Sequence, residues 1–459
     1  MSLVMPTRIV IVGSGGREHA LAWKLAAEPG VNEVIVVPGS DAIGREPRVR
    51  CVPGVDPLDR AAVVAVARRE AAELVVIGPE APLAAGVTDA LIEAGFAVFG
   101  PSGAAARIES SKSFCHEIAT AADVRMARGG AFHDAGEAVA FAKELAATGL
   151  GVVVKADGLM AGKGVTVCES LAEAERAIGE LAADAGTGEI GDRAWVVVEE
   201  RLTGREASLI AICDGRDAVP LPMARDHKRL LDGEHGPNTG GMGAYSPLPE
   251  LSDEAAQPLL TAFHRPILAE LARRGTPFRG ALYAGLMLTE DGPVLLEFNA
   301  RFGDPETQAQ LPRLAVALGP ILLAAARGDL GPALAASGLP GGRLPTLPGA
   351  SVAIVLAAAG YPDAPRSGDR IEGLEDAAAR GALVFHSGTT RDAGGSVRTA
   401  GGRVLSVVGR GRDLAAAAAT ADTAADLIHA PGLQRRHDIG AAEAPGLVPT
   451  PMTAGSAAR

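Results

Sequence analysis

Val294 to Phe298 has the apolar pattern typical of a β-strand. Glu297 lies in this segment, and Asn299 follows it two residues later. Because side chains alternate across a strand, both should point to one face and bring two oxygen donors together. Such donors, with waters and substrate phosphates, suit Mg²⁺. Arg301 follows two residues later and, if the chain stays extended, offers a planar cation to a transferring phosphoryl group. The segment indicates phosphoryl chemistry; an edge strand with a polar end is the alternative.

Lys155 and Lys163 flank a glycine-rich loop between two predicted strands, Gly151 to Lys155 and Val165 to Cys168. The loop is not a P-loop, because it lacks Gly-Lys-Ser/Thr and joins strand to strand. A flexible loop with lysines and backbone donors can fold over ATP phosphates and exclude water from a reactive intermediate. We favour phosphate binding over a plain glycine-rich hairpin, which would need neither lysine.

The segment Gly13-Ser-Gly-Gly-Arg-Glu-His19 separates a buried strand from a helical run. A dinucleotide-binding turn would need glycine at residue 18, where Glu18 stands, so the pattern disfavours a dehydrogenase. The N–H groups of Gly15 and Gly16, near Arg17, could instead hold a sugar phosphate at the helix N-terminus. A tight turn that uses glycine only for its backbone freedom is the alternative.

Strands and helices alternate over the first hundred residues, which predicts a doubly wound parallel sheet with ligands at the carboxyl ends of its strands. A second turn, Gly78-Pro-Glu-Ala-Pro82, should lie on the same edge of that sheet. A new unit begins near Ser102 with a predicted helix that contains Ser110-Ser111-Lys112-Ser113-Phe114. The predicted strands are 8–13, 33–37, 74–77 and 97–99, and the predicted helices are 57–71 and 86–94.

Two further segments could contact ligands. The apolar strand from Trp195 leads into a linker, Glu199 to Glu206, that could offer backbone groups to an adenine and an acid to a ribose. The run Gly236-Pro-Asn-Thr-Gly-Gly-Met-Gly-Ala244 can bring backbone donors close to an anion. A solvated surface loop is the alternative for the second segment and for the basic run Arg225 to Arg229 that precedes it.

Length and composition set the broad class. The 459 residues suggest about three domains. The net charge of −12 argues against a non-specific nucleic-acid binder. The four cysteines are far apart, which fits a reducing cytosol and neither a zinc site nor a disulfide framework. No apolar run approaches the ~20 residues that span a bilayer. The region after residue 339 shows no catalytic constellation, and we expect it only to pack.

Taken together and in order, these motifs resemble the phosphoribosylamine glycine ligases of the ATP-grasp superfamily, over about residues 8 to 440. The resemblance implies an α/β fold, α+β in part: an ATP-grasp core preceded by a doubly wound parallel-sheet domain and followed by a small C-terminal α/β domain. The implied boundaries are 8–108, 109–338 with a lid subdomain at about 131–200, and 339–440. The segment 441–459 lies outside the resemblance, and its richness in Ala, Pro, Gly and Ser predicts a disordered tail. The motifs that carry the resemblance are Gly13-Ser-Gly-Gly-Arg-Glu-His-Ala, Gly78-Pro-Glu-Ala-Pro, Lys155-Ala-Asp-Gly-Leu-Met-Ala-Gly-Lys-Gly164, Asp226-His-Lys-Arg, Gly236-Pro-Asn-Thr-Gly-Gly-Met-Gly and Glu297-Phe-Asn-Ala-Arg-Phe-Gly-Asp-Pro-Glu.

The family's reaction is ligation of glycine to 5-phosphoribosylamine in purine biosynthesis, with ATP cleaved to ADP and phosphate through a glycyl phosphate. The resemblance therefore implies a cytoplasmic enzyme that takes ATP, glycine and 5-phosphoribosylamine and uses Mg²⁺ or Mn²⁺. It implies no nucleic-acid partner and no membrane association. We expect a monomer.

The resemblance also implies roles for individual residues. Arg301, Asp226 and Lys228 are expected at the reacting groups, and Glu297 and Asn299 at the metal. The nucleotide would be held by Lys112, Lys155, Gly158, Gly162, Lys163, Gly164, Glu199, Glu200, Leu202 and Glu206. Glycine and phosphoribosylamine would be held by Gly15, Gly16, Arg17, Glu18, Pro79, Glu80, Pro82, Asn238, Thr239, Gly240, Gly241, Asp304 and Glu306.

The sequence departs from the pattern at two places. The strand Ala281 to Leu288 has no second metal-binding acid, and Arg225 replaces a residue that is often Gln in the family. Two rivals stay open. Another ATP-grasp ligase or carboxylase of nucleotide metabolism would show its own substrate dependence, and a silent nucleotide-binding scaffold would bind ATP without turnover.

Overall fold

The computed structural model describes residues 3–149, 151–159, 164–185, 195–251, 253–339 and 342–441. Residues 442–459, where the sequence predicts a disordered tail, lie outside this part of the chain, as do Gly162 and Lys163. Among the helices described, none has the length and apolar character needed to span a bilayer.

The N-terminal region is a five-stranded parallel sheet, as the alternating pattern predicts. Its central strand, Arg8–Gly13, is buried from Ile9 onward, because both faces of the sheet are covered and both therefore select apolar side chains. The elements are β1 (Arg8–Gly13), α1 (Gly16–Ala26), β2 (Glu33–Pro38), β3 (Val49–Cys51), α2 (Arg60–Arg69), β4 (Leu74–Ile77), α3 (Glu80–Ala84), α4 (Val87–Glu93), β5 (Val98–Phe99) and α5 (Gly103–Ser110). The strand order is β3-β2-β1-β4-β5.

The next region is an antiparallel sheet, β6-β9-β7-β8, with two helices that share its hydrophobic cluster. Its elements are α6 (Lys112–Ala121), β6 (Gly129–Phe132), α7 (Ala135–Ala146), β7 (Val152–Ala156), β8 (Val165–Cys168), α8 (Leu171–Ala185) and β9 (Val196–Glu200). The sequence predicts one helix that runs through Ser110 to Phe114, and this prediction is wrong: α5 ends at Ser110 and α6 begins at Lys112. Ser111 is extended, and its hydroxyl accepts a hydrogen bond from Phe114 N at 3.2 Å, so it caps a new helix.

A second antiparallel sheet, β11-β10-β16-β17, carries the predicted metal-binding strand at its edge. The β16–β17 hairpin turns at Glu290 and Asp291, as the sequence predicts. The elements are β10 (Arg205–Asp214), β11 (Ala218–Pro220), β12 (Arg225–Asp226), β13 (Arg229–Leu231), β14 (His235–Asn238), β15 (Gly243–Ser246), α9 (Ala256–Leu259), α10 (Arg265–Arg273), β16 (Arg279–Thr289), β17 (Gly292–Asn299), α11 (Glu306–Gln310), α12 (Gly319–Arg327) and α13 (Leu330–Ala336).

The C-terminal region is built on a sheet that it shares with the middle of the chain. Its elements are β18 (Ala350–Ala357), α14 (Leu374–Ala379), β19 (Leu383–His386), β20 (Thr389–Arg391), β21 (Val397–Thr399), β22 (Arg403–Gly411) and α15 (Leu414–Ala425). The strand order is β12-β15-β18-β22-β19, and Tyr245 of β15 lies opposite Val352 of β18. Strands β12 and β15 therefore tie the loop between them to the C-terminal sheet. The exact domain boundaries stay predictions.

Candidate active site

A cavity of about 920 Å³ lies where the four main sheets approach one another. Its wall takes residues from the carboxyl end of the parallel sheet, both antiparallel sheets and the C-terminal sheet. Most of the residues predicted for the site line this one cavity. They are Arg17, Pro79, Glu80, Lys112, Lys155, Gly158, Gly164, Glu199, Glu200, Leu202, Glu206, Asp226, Lys228, Asn238, Thr239, Gly240, Glu297, Asn299, Arg301, Asp304 and Glu306.

Lys155 lies at the buried end of β7 and forms an ion pair with Glu199 on the neighbouring strand β9. Its Nζ is 2.7 Å from Glu199 Oε2 and donates to the backbone oxygen of Leu296 at 3.1 Å. The other Glu199 oxygen lies 2.7 Å from His116 Nε2. Burial opposes charge on both partners, but their mutual attraction raises the pKa of Lys155 and lowers the pKa of Glu199. Both groups are therefore charged at neutral pH.

Lys112 holds the start of the glycine loop. It is the first residue of α6, and its Nζ donates to the backbone oxygens of Ala156 at 2.8 Å and Gly158 at 2.9 Å. The backbone N–H of Lys112 donates to the carboxylate of Asp157, as does the hydroxyl of Ser113. These bonds fix the start of α6 to the end of β7, and both elements border the predicted phosphate site.

The edge of β17 presents Glu297 and Asn299 to the cavity, as the strand pattern predicts. Glu297 pairs with Gly285 and Asn299 with Tyr283 of β16. Burial alone would raise the pKa of Glu297, but Lys228, Lys155 and the nearby Lys112 lower it. The carboxylate is therefore ionised and surrounded by cations, a setting that suits a metal-bound polyphosphate.

The protein itself supplies a sparse set of metal ligands. In the ranges that the structure describes, no cluster of three or more His, Cys, Asp or Glu side chains could hold a metal ion. Strand β16 carries no acid, so the departure noted in the sequence is also seen in the fold. A carboxylate and an amide oxygen, with the remaining positions left to phosphates and water, fit Mg²⁺ or Mn²⁺.

Arg301 is held by two carboxylates from the N-terminal part of the chain. Its Nε is 3.2 Å from Glu80 Oε2 and 3.2 Å from Glu109 Oε1, and its Nη1 donates to the backbone oxygen of Phe302. The second oxygen of Glu109 accepts from Ala300 N at 2.8 Å. Glu109 therefore fixes both the guanidinium and the backbone before it. Glu109 could not be predicted from the sequence, because an acid near the end of a helix carries no signal of a partner so distant in the chain.

Asp226 and Glu306 place two carboxyl groups on one side of the cavity. Glu306 Oε1 accepts a hydrogen bond from Ser208 at 2.9 Å, while Asp226 Oδ1 has no partner among the described residues. Burial and the charge of Glu306 raise the pKa of Asp226 well above its usual range. Lys228 beside them forms an ion pair with Glu206 at 2.8 Å. This side of the cavity can therefore offer the unpartnered carboxyl oxygen of Asp226 to a polar group of a ligand.

The predicted substrate loop is fixed from the C-terminal region. Gly240 N donates to the Tyr361 hydroxyl at 3.0 Å, and Arg403 donates to Gly240 O and to Asp304 O. Arg403 also lines the cavity. The expectation that this region only packs is therefore wrong. No motif marks Arg403, because its partners lie on other segments.

Five predicted substrate residues do not line the cavity: Gly15, Gly16, Glu18, Pro82 and Gly241. Glu18 faces inward instead. Its carboxylate accepts from Gly15 N at 2.7 Å and from Arg17 Nε at 2.6 Å, closing the turn at the start of α1. Gly15 nevertheless adjoins the site, because a Cβ there would lie 4.0 Å from Asp304 Oδ2.

Arg225, the second departure from the family pattern, is buried in the wall of the cavity, and its guanidinium is bound by neighbouring segments. Its guanidinium donates to Glu206 O at 2.6 Å, to the Tyr245 hydroxyl at 2.7 Å and to Glu250. Arg225 therefore supports the strand that carries Asp226.

Comparison with known proteins gives matches along nearly the whole chain. Models of phosphoribosylglycinamide synthetase match the N domain at residues 7–109, the ATP-grasp (A) domain at 110–307 and the C domain at 351–442. A phosphoribosylamine–glycine ligase of Streptomyces coelicolor is 47% identical over 95% of this chain and 99% of its own length. One from Mesorhizobium japonicum is 43% identical over 94% of this chain and 97% of its own length.

Solved structures agree with these matches. The crystal structure of the phosphoribosylamine–glycine ligase from Thermotoga maritima has a TM-score of 0.74 and 33% identity, and covers 94% of this chain and 99% of that one. A biotin carboxylase from Campylobacter jejuni, at 17% identity, a TM-score of 0.67 and coverage of 94% of this chain and 93% of that one, shares the fold alone. Since all three domains match in order, the chain belongs to the phosphoribosylglycinamide synthetase family of ATP-grasp proteins.

Proposed function

We propose that the protein ligates glycine to 5-phosphoribosylamine, with cleavage of ATP to ADP and phosphate, and so forms glycinamide ribonucleotide for purine biosynthesis. Membership of the family and its full-length relatives support this activity. The single observation that carries it is that one cavity is lined by Glu297, Asn299 and Arg301, by Lys112 and Lys155, and by the carboxyl pair of Asp226 and Glu306.

The chemistry proceeds through an acyl phosphate. A carboxylate oxygen of glycine attacks the γ-phosphorus, the bond from that phosphorus to the ADP oxygen breaks, and glycyl phosphate forms. The amine of phosphoribosylamine then attacks the carbonyl carbon and loses a proton, and phosphate leaves with one oxygen that came from glycine. No protein nucleophile is needed, so the enzyme contributes positioning and electrostatic stabilisation.

The lysines can meet phosphate oxygens without losing their present contacts. An ammonium group has three N–H donors. Lys112 uses two on Ala156 O and Gly158 O, and Lys155 uses two on Glu199 and Leu296 O. Each keeps one donor for ATP. We assign adenosine to Glu199, Glu200, Leu202 and Glu206, and the phosphates also to the loop that contains Gly158, Gly162, Lys163 and Gly164.

Glu297 and Asn299 would hold Mg²⁺ or Mn²⁺ against the phosphates. When bound, the ion neutralises phosphate charge during transfer. Arg301, aligned by Glu80 and Glu109, would stabilise the charge of the migrating phosphoryl group. Asp226, Lys228, Glu306, the loop from Asn238 to Gly241 and the turns at Arg17, Pro79 and Asp304 would hold glycine and phosphoribosylamine.

We place the enzyme in the cytoplasm as a monomer. The four cysteines, all free thiols, suit a reducing compartment. Light scattering coupled to gel filtration tests the monomer directly.

The experiment that tests the activity is ADP release with Mg-ATP, glycine and freshly generated phosphoribosylamine, omitting each component in turn. The proposal requires release that depends on all of them and glycinamide ribonucleotide as the product. Release that needs bicarbonate in place of glycine indicates a carboxylase, and ATP binding without release indicates a scaffold.

A further inference from the structure

Both backbone polar groups of Gly240 are bound by side chains of the C-terminal region. Its N–H donates to the Tyr361 hydroxyl at 3.0 Å, and its carbonyl oxygen accepts from Arg403 Nη1. The fit is close, because a Cβ at this position would lie 3.3 Å from Arg403 Cζ and 3.5 Å from Tyr361 Oη. The middle of a loop that lines the cavity is therefore fixed from outside its own segment.

Arg403 joins this loop to a second segment of the cavity wall. The same Nη1 donates to Asp304 O at 2.6 Å, and Nη2 lies 3.4 Å from Asp304 Oδ2. A guanidinium has a planar, fixed set of donors, so one side chain can hold two backbone oxygens and a carboxylate at once. Burial would raise the pKa of Asp304, but Arg403 and the nearby Arg17 lower it, so the carboxylate stays charged.

The hairpin that precedes the loop is anchored to the C-terminal region as well. Arg436 Nη2 lies 2.7 Å from Glu234 Oε1. Gly233 N donates to Asp438 Oδ2 at 2.8 Å, and His437 N donates to Asp232 Oδ1 at 2.7 Å. Strands β13 and β14 are therefore held at their turn, and the loop that follows β14 is held at Gly240.

We propose that Arg403 and Tyr361 form a clamp through which the C-terminal region positions the substrate loop, Asn238 to Gly241, and the Asp304 turn. Arg403 is thus a positioning residue for the reaction, and this role rests on the proposed function. A pre-ordered loop lowers the entropic cost of binding the substrates that it contacts. Lys112, Lys155 and Glu199 take their bonds from other segments, so the clamp should leave ATP binding unchanged.

The test compares Arg403→Ala and Tyr361→Phe with Arg410→Ala, an exposed arginine on the same strand that serves as the control. For Arg403→Ala we expect KM for glycine or phosphoribosylamine to rise by about tenfold or more, with the Kd of Mg-ATP within about twofold. Tyr361→Phe removes one hydroxyl and should change KM in the same direction by about threefold. The control should match the wild type in every constant.

Hydrogen exchange of the backbone amides from residue 236 to residue 244 supplies a readout that does not depend on the reaction. Both clamp variants should exchange faster there, and Arg403→Ala should also exchange faster near Asp304, while exchange in the rest of the chain stays unchanged. The control should match the wild type throughout. The clamp is overturned if neither exchange nor KM changes in Tyr361→Phe and Arg403→Ala. It is also overturned if the Kd of Mg-ATP rises by the same factor as KM for glycine or phosphoribosylamine. If Arg403→Ala fails to fold, Tyr361→Phe decides. Faster exchange in the clamp variants, in a protein whose wild type shows no glycine-dependent turnover, would reject the proposed reaction and leave the clamp standing.

Discussion

The ammonium of Lys155 lies 2.7 Å from a carboxylate oxygen of Glu199, which joins two residues whose sequence motifs indicate separate contacts with a nucleotide. Both side chains are almost fully buried, and His116 binds the second oxygen of the same carboxylate. The pair therefore fixes strand β7 to strand β9 at the cavity. It also sets the direction from which Lys155 can reach a phosphate.

Glu199→Gln should destabilise the protein and weaken ATP binding, because it leaves a buried ammonium without its nearest counter-charge. Breaking one side of a buried pair costs about 3–5 kcal/mol. Glu169→Gln is the matched control, since its pair with Arg201 is largely exposed and should contribute about 0–1 kcal/mol. Chemical denaturation and a Kd for Mg-ATP measure both effects. Equal losses of stability and of ATP affinity in Glu199→Gln and Glu169→Gln would refute the role proposed for the Lys155–Glu199 pair.

Arg301→Ala should remove ligation while leaving ATP binding nearly intact, because its contact with the phosphoryl group strengthens in the transition state. We expect kcat to fall by about 10²–10³-fold or more, with the Kd of Mg-ATP within about tenfold. Glu109→Gln should lower kcat less, since Arg301 keeps Glu80. A parallel loss of binding and turnover in Arg301→Ala would rule out this role.

Glu297→Gln should raise the Mg²⁺ concentration needed for turnover, because the ionised carboxylate is the only acid on the strand that we assign to the metal. A rise of about tenfold or more in half-saturating Mg²⁺ is expected, in line with the loss of one charged ligand. Chelation of the metal should stop the wild type. Mg²⁺ titration of ADP release measures this, and an unchanged titration curve would contradict the metal site.

Stability should fall as the pH drops below neutrality. His264 is fully buried, its Nε2 lies 3.0 Å from Leu282 O, and burial lowers its pKa to about 4. The unfolded chain protonates this histidine near 6.5, so its contribution is complete above that pH and is lost as the pH falls toward 4. The slope is at most about 1.4 kcal/mol per pH unit for one histidine.

Denaturation midpoints at pH 7, 6 and 5 measure this loss. His264→Gln should flatten the dependence by about one proton, whereas His437→Gln, an exposed histidine, should not. A midpoint that is constant or rises on acidification would contradict the argument.

Local patterns predicted the parts of the fold that depend on neighbouring residues. The alternation along β17 placed Glu297 and Asn299 on one face, and the glycine turn after β1 placed the start of α1 correctly. The break between α5 and α6 was missed, since Ser111 differs from a helix residue only through its capping hydrogen bond.

The parts of the site that depend on distant contacts could not be predicted. Glu109 and Arg403 become site residues only through partners far away in the chain, and nothing in their own segments marks them. Glu18 is the opposite case. Its place in the motif from Gly13 to His19 predicts a contact with substrate, whereas in the structure its carboxylate accepts a hydrogen bond from Gly15 N and closes the turn. The binding and catalytic roles assigned to individual residues remain predictions.

The measurement that tests the central claim most directly follows oxygen from glycine labelled with ¹⁸O in its carboxylate. We expect phosphate released with each glycinamide ribonucleotide to carry one ¹⁸O, because the carboxylate attacks the γ-phosphorus before the amine displaces phosphate. Phosphate without the label, alongside formed product, would contradict activation of glycine by ATP in this cavity.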